Sequence, residues 1–314
     1  MYITISHSEF KSANKRNQIK VKNYNLVHDD LKGIVIVLHG MCECKEIYSE
    51  FAEYLAIKGY GVITYDHIGH GGSINNIDEQ GFFANEKGYE YLVEDLKYVI
   101  NEAKKFKKPV FLFGHSMGSI IARAYVAQEK KQEIDGLILC GTVGPQWAID
   151  GAIQLAEYMV EQKGPRYRSR KLQQLIMQVA SWKFENMEYK LEWITRDKKY
   201  IEKIKDDEKM NFIFTATGFR DVFLLTKLTG LKENIEKIPK ELPIFLISGS
   251  DDVLGEYGEG IKRLYEVYKK NEIKDVTIKL YPKSRHNLMQ EIERKQVEKD
   301  VYEWIEIVRL ATKE

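Results

Sequence analysis

Apolar positions along the chain follow two different periods. Six short runs, residues 33–40, 61–66, 110–114, 136–141, 243–249 and 276–281, are rich in Val, Ile, Leu and Phe. Several are apolar at four or five consecutive positions, as expected of strands covered by helices on both faces; the last alternates, as an edge strand does. Between them, residues 46–58, 89–106, 119–130, 258–270 and 290–310 carry apolar side chains at helical spacing. Alternation of strand and helix predicts a doubly wound α/β fold with a mostly parallel sheet. Residues 2–7 and 18–24 are expected to form an antiparallel hairpin leading into it.

The stretch from 142 to 242 breaks the alternation. It has helical spacing and no strand-like run: Ile153, Ala156, Tyr158, Met159 and Val160 form one stripe, Leu172, Leu175, Ile176, Val179 and Trp182 a second, and Phe219, Val222, Phe223 and Leu225 a third. Most of these residues are expected to pack on one another. An insertion that follows the C-terminal end of a strand also sits where α/β folds bind ligands, which makes it a lid. The expected organisation is therefore a core of residues 1–141 and 232–314 with a helical cap, 142–231, inserted in it. Without Gly/Ser linkers, the cap should pack on the core.

Composition narrows the function. Lys and Arg number 48 against 47 Asp and Glu, a net charge of +1 over 314 residues, so no overall field favours nucleic acid. No apolar stretch approaches the roughly 18 residues of a membrane span, and the first residues lack the pattern of a secretory signal. Cys42, Cys44 and Cys140 are too few for a disulfide framework, and Cys42-x-Cys44 has no second pair to complete a zinc site. A cytoplasmic location is expected.

The strongest chemical pattern is Gly114-His115-Ser116-Met117-Gly118, placed between an apolar strand and a helix. In this context the glycines let strand and helix approach around a tight turn, and the serine projects from it as a nucleophile. A free hydroxyl reacts poorly at neutral pH, so it needs a base and a group to orient that base. His286 lies in the loop after the last strand, at the same sheet edge, and is the expected general base. The loop after the preceding strand supplies two adjacent carboxylates, Asp251 and Asp252. The order Ser, Asp, His is that of the α/β-hydrolase arrangement. Two backbone N–H groups are placed to hold an oxyanion, that of Met117 at the helix start and that of Met41 after the first parallel strand.

Taken together, residues 39–43 (His-Gly-Met-Cys-Glu), 66–73 (Asp-His-Ile-Gly-His-Gly-Gly-Ser), 114–118, 249–252 (Gly-Ser-Asp-Asp) and the His286 loop resemble the lysophospholipase and monoacylglycerol lipase-like branch of the α/β-hydrolases, also described as serine aminopeptidase-like. The resemblance spans nearly the whole chain, including residues 192–197 and 214–221 of the insertion. It implies a mobile cap, ester hydrolysis through an acyl-enzyme and no cofactor. It also implies Ser116, Asp252 and His286 as nucleophile, acid and base, selecting Asp252 as the fourth residue of Gly-x-x-Asp. Asp66, His67 and His70 fit the branch as scaffold rather than as metal ligands. Cys44, Ile47 and Ile68 stand where members often have His, Arg and Arg.

The expected substrate is a small acyl ester or lipid with a medium or long chain, of monoacylglycerol or lysophospholipid type. Trp147, Trp182, Phe219 and Phe223 are the candidate acyl-binding residues, and the lid would touch membrane surfaces transiently. A peptidase on the same triad would need acidic cap residues to hold a free amine, with Glu157, Glu161, Glu185 and Glu188 as candidates. Haloperoxidase-like chemistry or C–C bond hydrolysis would use the same triad on another bond. A noncatalytic binding protein typically lacks a triad member, and all three residue types are present here.

Overall fold

The computed structural model describes residues 3–27, 30–128, 132–144, 148–174 and 191–311. Its centre is an eight-stranded sheet in the order β1-β2-β4-β3-β5-β6-β7-β8. The strands are β1 (Ile5–Lys11), β2 (Gln18–Tyr24), β3 (Ile34–Leu38), β4 (Gly61–Tyr65), β5 (Val110–His115), β6 (Gly136–Cys140), β7 (Ile244–Gly249) and β8 (Val276–Tyr281). From β4 to β8 every pairing is parallel, while β1 and β2 form an antiparallel hairpin on β4. Every residue of β3 to β7 is buried, matching their unbroken apolar runs, whereas β8 alternates at the edge.

The hairpin differs from its expected position. Its first strand begins at Ile5 and runs to Lys11, with Ile5 opposite Tyr24 and Lys11 opposite Gln18. The turn sets this register: Ser12 and Asn17 pair across it, and Lys15 takes a left-handed conformation. Because β1 is largely exposed and polar, its hydrophobic pattern gave little sign of its limits.

Two layers of helices cover the sheet. On one side α2 (Gly88–Lys104), α3 (Met117–Gln128) and α8 (Glu259–Lys270) bury the larger cluster, around Ile36, Leu112 and Leu139. On the other, α1 (Ser49–Ile57) and α9 (Arg294–Ala311), the latter through Trp304, close over Val37, Phe113 and Ile138. Between β6 and β7 the chain adds α4 (Ile149–Lys163), α5 (Lys198–Ile204), α6 (Ala216–Gly230) and α7 (Lys232–Ile235). Helix α6 packs on α2 and α3, and α4 packs on α6. Polar contacts also tie the insertion to the loop after β4: Thr215 Oγ1 donates to Gly81 O at 2.7 Å and Arg168 Nη1 to Gln80 O at 3.0 Å. Among the described residues, no helix is long and apolar enough to cross a membrane.

The turn between β5 and α3 depends on two close approaches. A Cβ at Gly118 would lie 2.4 Å from Leu38 O, and one at Gly114 would lie 2.7 Å from Gly118 O. Gly151, in α4, has nothing within 4 Å of its Cβ position. Gly118→Ala is therefore expected to destabilise the fold by about 2–3 kcal/mol through overpacking. Gly151→Ala should stabilise it by about 0.5–1 kcal/mol through helix propensity. Urea unfolding of the two variants beside the unsubstituted protein checks both signs.

Candidate active site

The strand ends at the C-terminal edge of the parallel sheet bring together residues far apart in sequence. Ser116 follows β5 directly, with a φ of 49°, and its N–H is held by Cys140 O at 3.0 Å. A positive φ on a serine is strained, and the surrounding packing enforces it. Its Oγ lies 2.9 Å from His286 Nε2, and His286 Nδ1 lies 3.0 Å from Asp252 Oδ1. Asp251 does not take that place; its carboxylate accepts from Ser250 Oγ at 3.1 Å. Ser116 is partly exposed, whereas His286 and Asp252 are buried.

Charge within this row is set by burial and partners. Burial pushes the Asp252 carboxyl up, but adjacent His286 and hydrogen bonds from His286, the Gly255 amide and Ser248 outweigh it, holding it below the usual carboxylate range. Burial pushes the His286 imidazole down; the Asp252 charge and hydrogen bond, with the Glu43 charge, outweigh it and leave His286 above its ordinary 6.5. The acid is thus ionised and aimed at Nδ1, leaving Nε2 to accept from the Ser116 hydroxyl.

The two sequence-assigned oxyanion donors flank the serine. Met117 opens α3, so its N–H has no acceptor within the helix. Met41 follows β3 in the loop packed beside the turn, where a Cβ on neighbouring Gly40 would sit 3.1 Å from Ser116 Cβ. Neighbouring histidines hold this loop. His39 Nδ1 contacts Gly40 O at 2.8 Å, and the Cys42 N–H donates to His70 Nε2 at 3.3 Å. Burial, and next the nearby His39, bring His70 down to about 3, so its ring is neutral and accepts from Cys42. His39, His67 and His70 thus serve the backbone as scaffold, and Asp66 does likewise through the Lys45 and Gly72 amides at 2.8 Å each.

Glu43 ties the loops together through partners that its place in the motif did not specify. Its Oε2 accepts from the Gly40 N–H at 2.6 Å and Tyr48 Oη at 2.7 Å and contacts His115 Nδ1 at 3.1 Å; Oε1 accepts from Asn287 Nδ2 at 2.7 Å. Burial would raise its pKa, but the His115 ring and the donors from His115, Tyr48 and Gly40 prevail, bringing it down to about 2. The positions Cys44 and Ile47, which differ from the related branch, are bypassed: Tyr48 and Asn287 complete the donor set.

The insertion contributes to both sides of the site. The rings of Phe212 and Phe214 lie 5.4 and 5.3 Å from His70, and Phe214 continues through Phe219 to Phe223 in ring contacts of 5.6 and 6.0 Å. Phe219 and Phe223 are buried in the main cluster by these contacts. Trp147 and Trp182 lie outside the described residues, as do Glu185 and Glu188; Glu157 and Glu161 are exposed on α4. A tryptophan not singled out from sequence, Trp193, also packs on His286, their ring centroids 5.4 Å apart, beside the His115 ring at 5.0 Å. Its only sign in the sequence was its place in the segment 192–197.

Comparison with known proteins identifies the family. The family described as serine aminopeptidase, S33, matches residues 29–293. Monoglyceride lipase of Saccharomyces cerevisiae is 25% identical over 274 residues, covering 83% of this chain and 79% of the yeast protein. Monoacylglycerol lipase of Mycolicibacterium smegmatis is 26% identical over 280 residues, covering 88% of this chain and 89% of its own. A highly thermostable carboxyl esterase from Bacillus coagulans, crystallised in complex with glycerol, superposes with a TM-score of 0.90 at 25% identity, over 98% of this chain and 99% of its own.

Replacing Glu43 by Gln keeps its size but sets an amide donor among groups that themselves donate. Glu43→Gln is expected to cost about 2–3 kcal/mol of stability and to lower kcat for ester turnover at least about tenfold with a smaller change in KM, since the loops it joins would lose their spacing. Urea unfolding and steady-state kinetics check the two effects.

Proposed function

The chain belongs to the serine aminopeptidase S33 family of α/β-hydrolases, and from that footing we propose that it hydrolyses carboxylic esters of medium or long acyl chains, of the monoacylglycerol or lysophospholipid type. The observation that carries this reading is the row Ser116 Oγ, His286, Asp252, with contacts of 2.9 and 3.0 Å, ending on a partly exposed nucleophile. In the proposed reaction His286 Nε2 takes the Ser116 proton as Oγ attacks the ester carbonyl. The N–H groups of Met41 and Met117 hold the developing oxyanion, and the imidazolium, steadied by ionised Asp252, protonates the leaving alcohol. Water then attacks the acyl-enzyme by the same route, releasing the acid and restoring Ser116. No step requires a cofactor.

We assign the acyl chain to the aromatic side of the insertion, where Phe214 packs beside His70 and continues into the buried rings of Phe219 and Phe223, which would have to part to admit it. The named relatives, two of them monoglyceride lipases and one a carboxyl esterase, support an ester rather than a peptide bond. The exposed positions of Glu157 and Glu161 give the peptidase alternative no amine site there. We place residues 142–231 as the cap over this site, with transient contact to lipid surfaces, and the enzyme in the cytoplasm, in keeping with three free cysteines.

Two measurements test the proposal. p-Nitrophenyl esters from acetate to palmitate, with 1-monoacylglycerol and lysophosphatidylcholine, should be turned over at rates rising with chain length, and Ser116→Ala should lower kcat by about 10⁴-fold or more. Ester silence of the folded protein would refute the assignment. Because His286 sits above 6.5, kcat/KM should rise with pH through an apparent pKa higher than that value. In Asp252→Asn the lost anion should move this midpoint downward while kcat falls steeply; an unmoved midpoint would exclude Asp252 as the partner of the base.

A further inference from the structure

Residues 191–196 of the insertion are clamped to the loop that carries His286. The Asn287 N–H donates to Ile194 O at 2.8 Å, Thr195 Oγ1 to Gln290 O at 2.8 Å, and Arg196 Nε to Glu291 Oε2 at 3.1 Å. Arg285 Nη1 donates to Glu192 O from the other flank. Trp193 sits at the centre of this clamp. Its ring plane is tilted 32° to that of His286, and it packs with Val253, the neighbour of Asp252. Only 9% of the residue is exposed. Its indole Nε1 is buried and has no hydrogen-bond partner among the described residues.

Buried donors are rarely left unpaired, because losing water without gaining an acceptor is destabilising. This one belongs to a ring in contact with the imidazole of the candidate base, which points to an acceptor that arrives with the ligand. The proton path identifies which half of the ligand brings it. His286 Nε2 must hand its proton to the leaving oxygen, so the leaving alcohol lies against the imidazole while the acyl carbon lies on Ser116. The ring that carries this donor therefore packs beside the alcohol half of an ester.

We propose that Trp193 determines specificity for the leaving alcohol: its Nε1–H donates to an oxygen carried by that alcohol beyond the ester bond, favouring esters of polyols over esters of simple alkanols. The inference rests on the ester hydrolase reading and adds the residue that reads the alcohol. An alkanol leaves the indole N–H unpaired, and a site built around such a donor discriminates against ligands that lack the acceptor.

The test compares 1-octanoylglycerol with propyl octanoate, which share the acyl group and the leaving-chain length and differ in two hydroxyls. The unsubstituted protein is expected to favour 1-octanoylglycerol. Trp193→Phe, which keeps a ring against His286 and removes the N–H, should lower kcat/KM for 1-octanoylglycerol about tenfold while leaving propyl octanoate within about twofold. Trp193→Leu should lower both, since ring packing is lost as well. The ratio of the two constants is independent of the folded fraction, so partial unfolding does not obscure it. A ratio in Trp193→Phe within twofold of the unsubstituted protein, including equal loss on both esters, overturns the role of Trp193. Failure of the unsubstituted protein to cleave either ester would instead overturn the ester hydrolase reading.

Discussion

A buried carboxylate, Glu43, sets the spacing of the three loops that meet at the candidate site. Its two oxygens reach the Gly40 amide of the loop after β3, the His115 ring that precedes Ser116, and the Asn287 side chain that follows His286. Each loop leaves a different strand, and nothing in a parallel sheet fixes how those loops stand to one another above its edge. Taking a carboxylate out of water is costly, and the cost is met only when its lone pairs are satisfied by donors. That requirement works as a geometric constraint: the lowest-energy position for each loop is the one that keeps its donor on Glu43. The same charge lies close enough to His286 to help raise its pKa, so spacing and basicity share one source.

Rigid close packing supplies the second constraint. Gly118 lets α3 approach the end of β3 so closely that any side chain would meet the Leu38 carbonyl. Gly249 plays a similar part at the end of β7, where a Cβ would lie 1.9 Å from Ser284 O in the His286 loop. Backbone contact of this kind leaves little freedom for the strained Ser116 to relax. Ser116 and His286 are thus brought together by main-chain geometry, and the charge network refines what packing has already limited.

Much of this was legible in the sequence because it is written in local rules. Buried parallel strands read as unbroken apolar runs, and the Gly-x-Ser-x-Gly turn names its own backbone problem. His286 and the pair Asp251 and Asp252 were legible as neighbours in space because strand order places their loops at one edge, although choosing between the aspartates took a family pattern. The limits of β1 were not legible, since an exposed hairpin strand follows its turn rather than a hydrophobic face. Nor were the partners of Glu43: Asn287 lies 244 residues away, and no periodicity links a carboxylate to an amide across the whole chain. Trp193 was hidden for a related reason, since an aromatic residue in a helical insertion reads as packing until its neighbour is known.

The insertion meets the core on two chemically different sides. Toward the loops after β3 and β4 its contacts are mainly aromatic, with Phe212 and Phe214 on His70 and the Phe212 carbonyl accepting from Cys42 Sγ at 3.2 Å. Toward the base its contacts are polar and local, from Glu192 to Arg196 against the segment 285–293. Lifting the second side would break several hydrogen bonds that flank His286 and would disturb the imidazole it is meant to serve. Apolar contacts on the first side are individually weak and non-directional, so an apolar ligand would replace them with contacts of the same kind. Entry of an apolar ligand along the aromatic side would therefore leave the hydrogen bonds that join Ser116, His286 and Asp252 in place.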